Sequence, residues 1–365
     1  MRLGFGLRFE DLYQRDGLLR LDQAFLQWLG ERAPQLAERL CSARGAPDSL
    51  EYRQEAALLI EAAPWVDEFI AALFDIGDEL AALRARHTEL APLYEAKTRF
   101  VKRQALQKID PAQLAAFDAD AARERLLEWV GTPTFDELAL ARAILDWQRD
   151  ETANAAQLQI AMLYSAWAVT TEAGNAKHGR GVLFRQPGRI EPLALIRHAH
   201  SESVDGATVH AIDASRLRRR LDNGRGAFSL TDPGTDLAGA LDETHYCILC
   251  HNQGKDSCSK GLRDKPGPDG STRYKHSALG VQLPGCPLEQ RISEFHAVKR
   301  DGLAVAALAM IVIDNPLCAA TGHRICNDCM KACIYQKQTP VDIPQAETRT
   351  LKDVLELPWG FEIYS

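Results

Sequence analysis

The sequence contains no run of about 18 apolar residues, the length a helix needs to cross a bilayer. Its nearest approach, Leu303 to Ile313, is too short, so no membrane insertion is expected. It has no apolar segment behind Met1-Arg-Leu-Gly-Phe-Gly-Leu-Arg8, which argues against a secretory signal. It has no excess of basic charge: 43 Lys and Arg face 50 Asp and Glu, a net charge of −7, which argues against nucleic acid as a partner. It has no P-loop, no HExxH pair and no nucleophile elbow. No GxGxxG turn occurs either, because Gly4-Phe-Gly6 is followed by Phe9 where a third glycine is needed. The composition, 46% hydrophobic and 25% charged over 365 residues, excludes disordered and collagen-like chains. The expectation is a cytoplasmic, globular protein of two or three domains, without recognisable substrate chemistry of its own.

Residues 1–174 are rich in Ala, Leu, Glu and Arg, all strong helix formers. Apolar residues recur at helical spacing at Phe69, Leu73, Ile76, Leu80 and Leu83, and in the stretches 18–43, 48–62, 119–130, 134–149 and 152–172. Gly45-Ala-Pro47, Ala63-Pro64, Asp110-Pro111 and Gly131-Thr-Pro133 mark breaks, with Pro64 and Pro111 placed where a first helical turn accepts proline. This half reads as a helical bundle of unknown role, with Trp28, Trp65, Trp129, Trp147 and Trp167 as core residues. Across 175–245 the pattern breaks at Gly179, Gly181, Pro187 and Gly188, which reads as a connector or a small α+β insert. Val182-Leu-Phe184 and Thr208 to Ile212 are candidate strands. The four arginines of Arg216 to Arg220 read as a solvated face, with docking to an acidic partner or a phosphate as the lesser reading.

Cysteine is the residue present in excess. Of nine, Cys41 stands alone and eight fall in the third region, 246–365, including the residue at 247 that opens it. Their order is Cys247-x2-Cys250-x7-Cys258, then Cys286-Pro287, then Cys318-x7-Cys326-x2-Cys329-x3-Cys333. In a reducing compartment such a cluster points to metal or redox chemistry. Thiolates are soft ligands that suit zinc or iron–sulfur clusters. Eight are too many for one tetrahedral site, and interleaved groups with a Cys-Pro are found in two-cluster iron–sulfur proteins. Two [4Fe–4S] clusters, a zinc-stabilised interaction domain without redox activity, and free or disulfide thiols all remain open on spacing. His245, His251, His276, His296 and His323 lie in or near the region, and imidazole suits either metal, although a flanking histidine more often serves the surface or a hydrogen bond.

The residues between the cysteines carry more. Cys286-Pro287 is followed by Leu-Glu-Gln-Arg-Ile-Ser-Glu-Phe-His-Ala-Val-Lys-Arg-Asp-Gly302, the apolar helix Leu303–Ile313, Asp314-Asn-Pro-Leu317, Thr321-Gly-His-Arg-Ile-Cys326 and Pro340-Val-Asp-Ile343. Over roughly residues 245–360 this succession resembles the N-terminal iron–sulfur domain of the glutamate synthase small subunit. The same domain opens dihydropyrimidine dehydrogenase and related FAD-dependent oxidoreductases of the pyridine nucleotide-disulfide type. The resemblance implies a mainly α fold, with an α-helical di-cluster, ferredoxin-like C-terminal domain. It implies one cluster on Cys247, Cys250, Cys258 and Cys333, and a second on Cys286, Cys326 and Cys329. The family's fourth ligand to the second cluster is an oxygen donor seven residues after the proline of the Pro-x-x-Ile segment, here Glu347, with Cys318 as the competing ligand. Lys255 and Arg324 flank cluster cysteines and are candidates for tuning the cluster potential. FAD and NAD(P)H are then bound by a flavoprotein domain downstream or by a partner subunit, and this chain is the non-catalytic electron-transfer part; Pro358 to Ser365 lies near where the flavin domain begins in the family. The sequence departs from the family in the long polar gap between Cys258 and Cys286 and in the compact closing group.

Overall fold

The computed structural model describes residues 2–190, 198–212 and 234–365. The arginine run at 216–220 lies outside the described residues. The fold is mainly helical, as expected. The first helices are α1 (Arg15–Arg32), α2 (Pro34–Gly45), α3 (Tyr52–Phe74) and α4 (Gly77–Ala96). The apolar repeat from Phe69 to Leu83 is shared between two helices, because Asp75 takes a left-handed conformation (φ 56°) and ends α3. Pro64 sits inside α3 rather than in a first turn. It removes a backbone hydrogen bond, but Leu58, Ala62, Ala63, Phe69 and Leu73 are buried on either side, and that burial carries the helix through.

Lys97–Ala105 winds as a π-helix, and α5 (Ala119–Val130), α6 (Glu137–Trp147), α7 (Ala155–Thr170) and α8 (Glu172–His178) follow. The ends of α5 are chemically marked: the Asp118 carboxylate accepts from the Ala121 amide, and Gly131 stops the helix with φ 75°. Val182-Leu-Phe184 is not a strand. It is an irregular, buried segment whose Val182 and Leu183 amides donate to Glu137 Oε2 at 2.7 and 2.9 Å. A side-chain carboxylate replaces the ladder that a strand would have needed. The Thr208–Ile212 expectation does fall in a strand, within the antiparallel hairpin β1 (His198–Val204) and β2 (Ala207–Ile212).

The remaining long helices are α9 (Leu237–Tyr246), α10 (Ile292–Arg300), α11 (Ala304–Asp314) and α12 (Ile343–Leu355). Two apolar cores form, and they cut the chain differently from the expected 1–174, 175–245 and 246–365. Leu29, Leu58, Phe69, Leu73 and Leu83 share one core with Phe295, Val298, Leu308, Ile311 and Val354, and Cys258, Cys286, Cys318 and Cys333 belong to it. Phe100, Leu126, Ile144, Tyr164, Leu183 and Phe184 form the other, joined by Leu241 of α9. The cause lies in α11, which is buried on nearly every side from Ala304 to Ile311. Such a helix needs cover on more than one face, and α3 and α12 both pack on it.

Two polar contacts fix this arrangement. The Asp67 carboxylate of α3 accepts from the Ala306 amide at 2.6 Å, capping α11 from another part of the chain. Lys299 of α10 meets Asp353 of α12 at 2.8 Å with both side chains fully buried, and Arg349 Nε donates to the other Asp353 oxygen at 2.7 Å. Among the described residues no helix is long and apolar enough to cross a membrane.

Candidate metal centres

Cys247, Cys250, Cys258 and Cys333 line one small cavity walled by Ile292, Val341 and Ile343. Local structure explains how four distant positions meet. Cys247 ends α9, and Leu249 in a left-handed conformation (φ 55°) turns the chain into the single turn that begins at Cys250. Asp256 caps the one-turn helix Ser257–Lys260 that carries Cys258, accepting from Ser259 N at 3.2 Å. Cys333 follows the one-turn helix Asp328–Lys331. The cavity holds only about 10 Å³, and the Cys258 and Cys333 thiols are hydrogen-bonded. That bond and burial push Cys258 well up, while the same bond holds Cys333 down to about 7. Burial pushes Cys247 up to about 12 and Cys250 up to about 11. Cys247, Cys250 and Cys258, with raised values, stay protonated in the absence of a cation, so loading a metal here would release protons.

The long gap after Cys258 does not separate it from Cys286. Residues 260–285 leave and return at one point, where Leu262 N donates to Leu283 O at 2.9 Å and Cys286 N donates to Cys258 O at 2.8 Å. Two glycines make the closure possible. Gly261 and Gly285 have φ of 84° and 87°, and a Cβ on Gly285 would lie 2.5 Å from Gly261 N.

Cys286, Cys326, Cys329 and Glu347 line a second cavity of about 410 Å³, together with Gln290 and Asn315. Arg324 (φ 66°) and Asn327 (φ 60°) bend the chain around it. Glu347 projects from α12 and is buried; its Oε1 accepts from Asn315 Nδ2 at 3.0 Å. Thr321 Oγ1 donates to Asn315 Oδ1 at 2.9 Å and sets that amide's orientation. Burial pushes the Glu347 carboxyl up to about 7. Burial likewise raises Cys286 and Cys329. Cys318 is buried beside Glu347 but does not line the cavity; its thiol turns to the Tyr364 phenol, and burial pushes it up to about 11.

Of the two candidate tuning residues, Arg324 lines the second cavity and is ion-paired with Asp342, whereas Lys255 is exposed and lines neither. His251 Nδ1 is within 2.7 Å of Ser293 Oγ, His245 stacks on Tyr94 at 4.3 Å, His276 lies in the 260–285 excursion and His323 is exposed. His296 faces the first cavity. The roles of Gln290 and Asn315 in the second wall, and of His296 in the first, carry no spacing signal. Cys41 is exposed on α2.

All nine cysteines are free of disulfides. Among the described residues no three His, Cys, Asp or Glu side chains are close enough to share one metal ion. Each set lines a cavity, the first of about 10 Å³ and the second of about 410 Å³. By softness and number the four thiols of the first set and the three thiols of the second suit an iron–sulfur cluster, with the Glu347 carboxylate as a harder fourth donor.

Residues 3–75 match the family of the RP005 N-terminal alpha-helical domain. Two proteins of Rickettsia prowazekii (strain Madrid E) are similar to the chain. Uncharacterized protein RP005 is 32% identical over 301 residues, which is 82% of this chain and 98% of that protein. Uncharacterized protein RP006 is 70% identical over 46 residues, 13% of this chain and 6% of that protein. No solved structure matches.

Proposed function

The chain belongs to the RP005 family, and we propose that its cysteine region passes single electrons through two [4Fe–4S] clusters, to or from a flavin on a domain downstream or a partner chain. The observation that carries the reading is the division of the cysteines into two donor sets, four thiols around one cavity and three thiols with a buried carboxyl around another. The proposal includes a helical di-cluster, ferredoxin-like fold of the glutamate synthase small-subunit type for residues 246–365, and a cytoplasmic setting, which suits free thiols.

Bound clusters supply one-electron transfer, and a flavin joins that to hydride chemistry. The chain's own residues hold and shield them. Cys247, Cys250, Cys258 and Cys333 hold the first among Ile292, Val341 and Ile343, which exclude water. Cys286, Cys326 and Cys329 hold the second, with Glu347 as the oxygen ligand oriented by Asn315. Cys326 is exposed, so the second site is the one nearer a docked partner. FAD and NAD(P)H belong to that partner; no GxGxxG turn exists here to bind them.

Anaerobically purified chain should be brown, carry about eight iron and eight acid-labile sulfide for two four-iron clusters, and bleach on reduction. Cys333→Ser should lower iron to about four per chain and leave the second cluster's spectrum in place. A colourless protein holding stoichiometric zinc overturns the reading in favour of a zinc-stabilised interaction domain, which chelation would unfold.

A further inference from the structure

His296 of α10 is fully buried, lines the first cavity beside the four cysteines, and has no hydrogen-bond partner on either ring nitrogen. The other buried histidines each have one: His87 Nδ1 bonds Leu83 O, His178 Nε2 meets Tyr164 Oη and His251 Nδ1 meets Ser293 Oγ. Its ring neighbour is Phe295, edge-on at 4.5 Å, which offers no lone pair. An unsatisfied buried polar group costs about 1–3 kcal/mol, and native proteins leave few of them without a function or a bound group. Besides the four cysteines and Tyr335 the lining of the cavity is apolar, and the nearby Arg300 and Lys299 are cations that cannot accept an N–H. The acceptors in the cavity are the sulfurs, with whatever they hold, and the Tyr335 hydroxyl, which the ring does not bond.

We infer that His296 donates an N–H hydrogen bond to a sulfur of the cluster held by Cys247, Cys250, Cys258 and Cys333, and so raises that cluster's reduction potential. The inference rests on the electron-transfer reading above. Reduction adds negative charge that is shared by the sulfurs, and a donor aimed at one of them stabilises the reduced form more than the oxidised form. Burial, with Arg300 and Lys299 nearby, disfavours the charged imidazole, and the neutral ring still carries one N–H to donate.

The test uses the full chain, purified anaerobically, with iron and sulfide assays, redox titration followed by electron paramagnetic resonance, and hyperfine spectroscopy of the reduced clusters in H2O and D2O. Wild type should show an exchangeable proton and a weakly coupled nitrogen on one cluster, the one that Cys333→Ser removes. His296→Leu should keep the iron count, lose that proton coupling and lower the midpoint of that cluster alone. His296→Gln, which retains an N–H, should restore part of the shift. An unchanged midpoint and coupling in His296→Leu overturn the inference while leaving the electron-transfer reading standing. Strong nitrogen coupling in wild type, with loss of half the iron in His296→Leu, makes His296 a ligand and also overturns it. Wild-type chain that holds zinc and no iron overturns the underlying reading, and this inference with it. If His296→Leu fails to fold, absence of an exchangeable proton on the wild-type cluster is decisive against it.

Discussion

Truncating Asp353 should damage the fold far more than neutralising its partner Lys299. The pair spans α10 and α12, at 2.8 Å, with both side chains fully excluded from water. His296 lies three residues before Lys299 on α10, and Glu347 six residues before Asp353 on α12, so the pair holds together the helices that wall both cavities. Asp353 also accepts from Arg349 at 2.7 Å. Asp353→Ala therefore strands the Lys299 ammonium in the core and releases Arg349 as well. Removing one partner of a buried pair costs about 3–5 kcal/mol, which at 1.36 kcal/mol per decade is roughly 10²- to 10⁴-fold in the folding equilibrium. Lys299→Met leaves Asp353 with its Arg349 partner and fills the space with an apolar chain, so its cost should be well below that. The double variant Lys299→Met/Asp353→Leu should recover most of the loss, because an apolar pair of similar volume removes the stranded charge. Urea unfolding followed by circular dichroism measures all three. A loss in Lys299→Met equal to that in Asp353→Ala would refute the reasoning, as would an Asp353→Ala cost under about 1 kcal/mol, the range of exposed pairs.

Three further outcomes follow from the geometry. Gly285→Ala should cost about 2–5 kcal/mol through backbone strain and the clash with Gly261 N and should lower iron retention; Gly280→Ala, at φ 77° with open space around it, should cost only about 1–3 kcal/mol of strain, and equal losses would contradict the closure described here. Glu347→Ala should change the spectrum and midpoint of the second cluster alone, and unchanged values would take Glu347 out of the site. Burial raises Asp67 to about 7 in the folded chain, above its unfolded value of about 4, so its contribution is greatest at low pH and is lost as pH rises from about 4 to about 7. His178, His245 and His296 are shifted down by burial and act in the opposite sense over much of the same window. The informative quantity is thus the difference between wild type and Asp67→Asn, whose amide oxygen still accepts from Ala306. Wild type should lose stability relative to Asp67→Asn between pH 5 and pH 7.5 in urea titrations, and a constant difference would show that Asp67 does not titrate there.

What was legible in the sequence was local. The repeat at 119–130 gave α5 to the residue because Asp118 and Gly131 supply chemical ends to a periodic stretch. Pro64 was misplaced because a proline's rank in a helix depends on how far the preceding turns are buried, which only the core decides. Val182-Leu-Phe184 alternated like a strand, but three buried apolar residues in a row fit any segment whose amides find an acceptor, here Glu137. The cysteines gather around two cavities, and the long spacing between Cys258 and Cys286 hides how near they lie, because the glycine closure that joins them has no signal in spacing. The sharing of a core between the first helices and the cysteine region had no local signal: it depends on the all-round apolarity of α11, and nothing in that helix names α3 as its cover. His296 was one of five histidines of equal standing by position, and what separates it is the lack of any partner for its ring.

The cap that Asp67 places on Ala306 has a consequence for how the protein is made. The first 75 residues leave the ribosome long before α10 and α11 exist, and the buried apolar residues from Leu93 to Leu241 between them go into a different core. Until some 240 residues later, the face of α3 that carries Asp67 lacks the helix that packs on it. Contacts so distant along the chain close slowly, and the uncovered face invites aggregation in the interval. Synthesis of this protein should therefore draw on chaperones that bind exposed apolar helices. The two cysteine-lined cavities, whose Cys258, Cys286 and Cys333 join that same core, take shape only as that core closes.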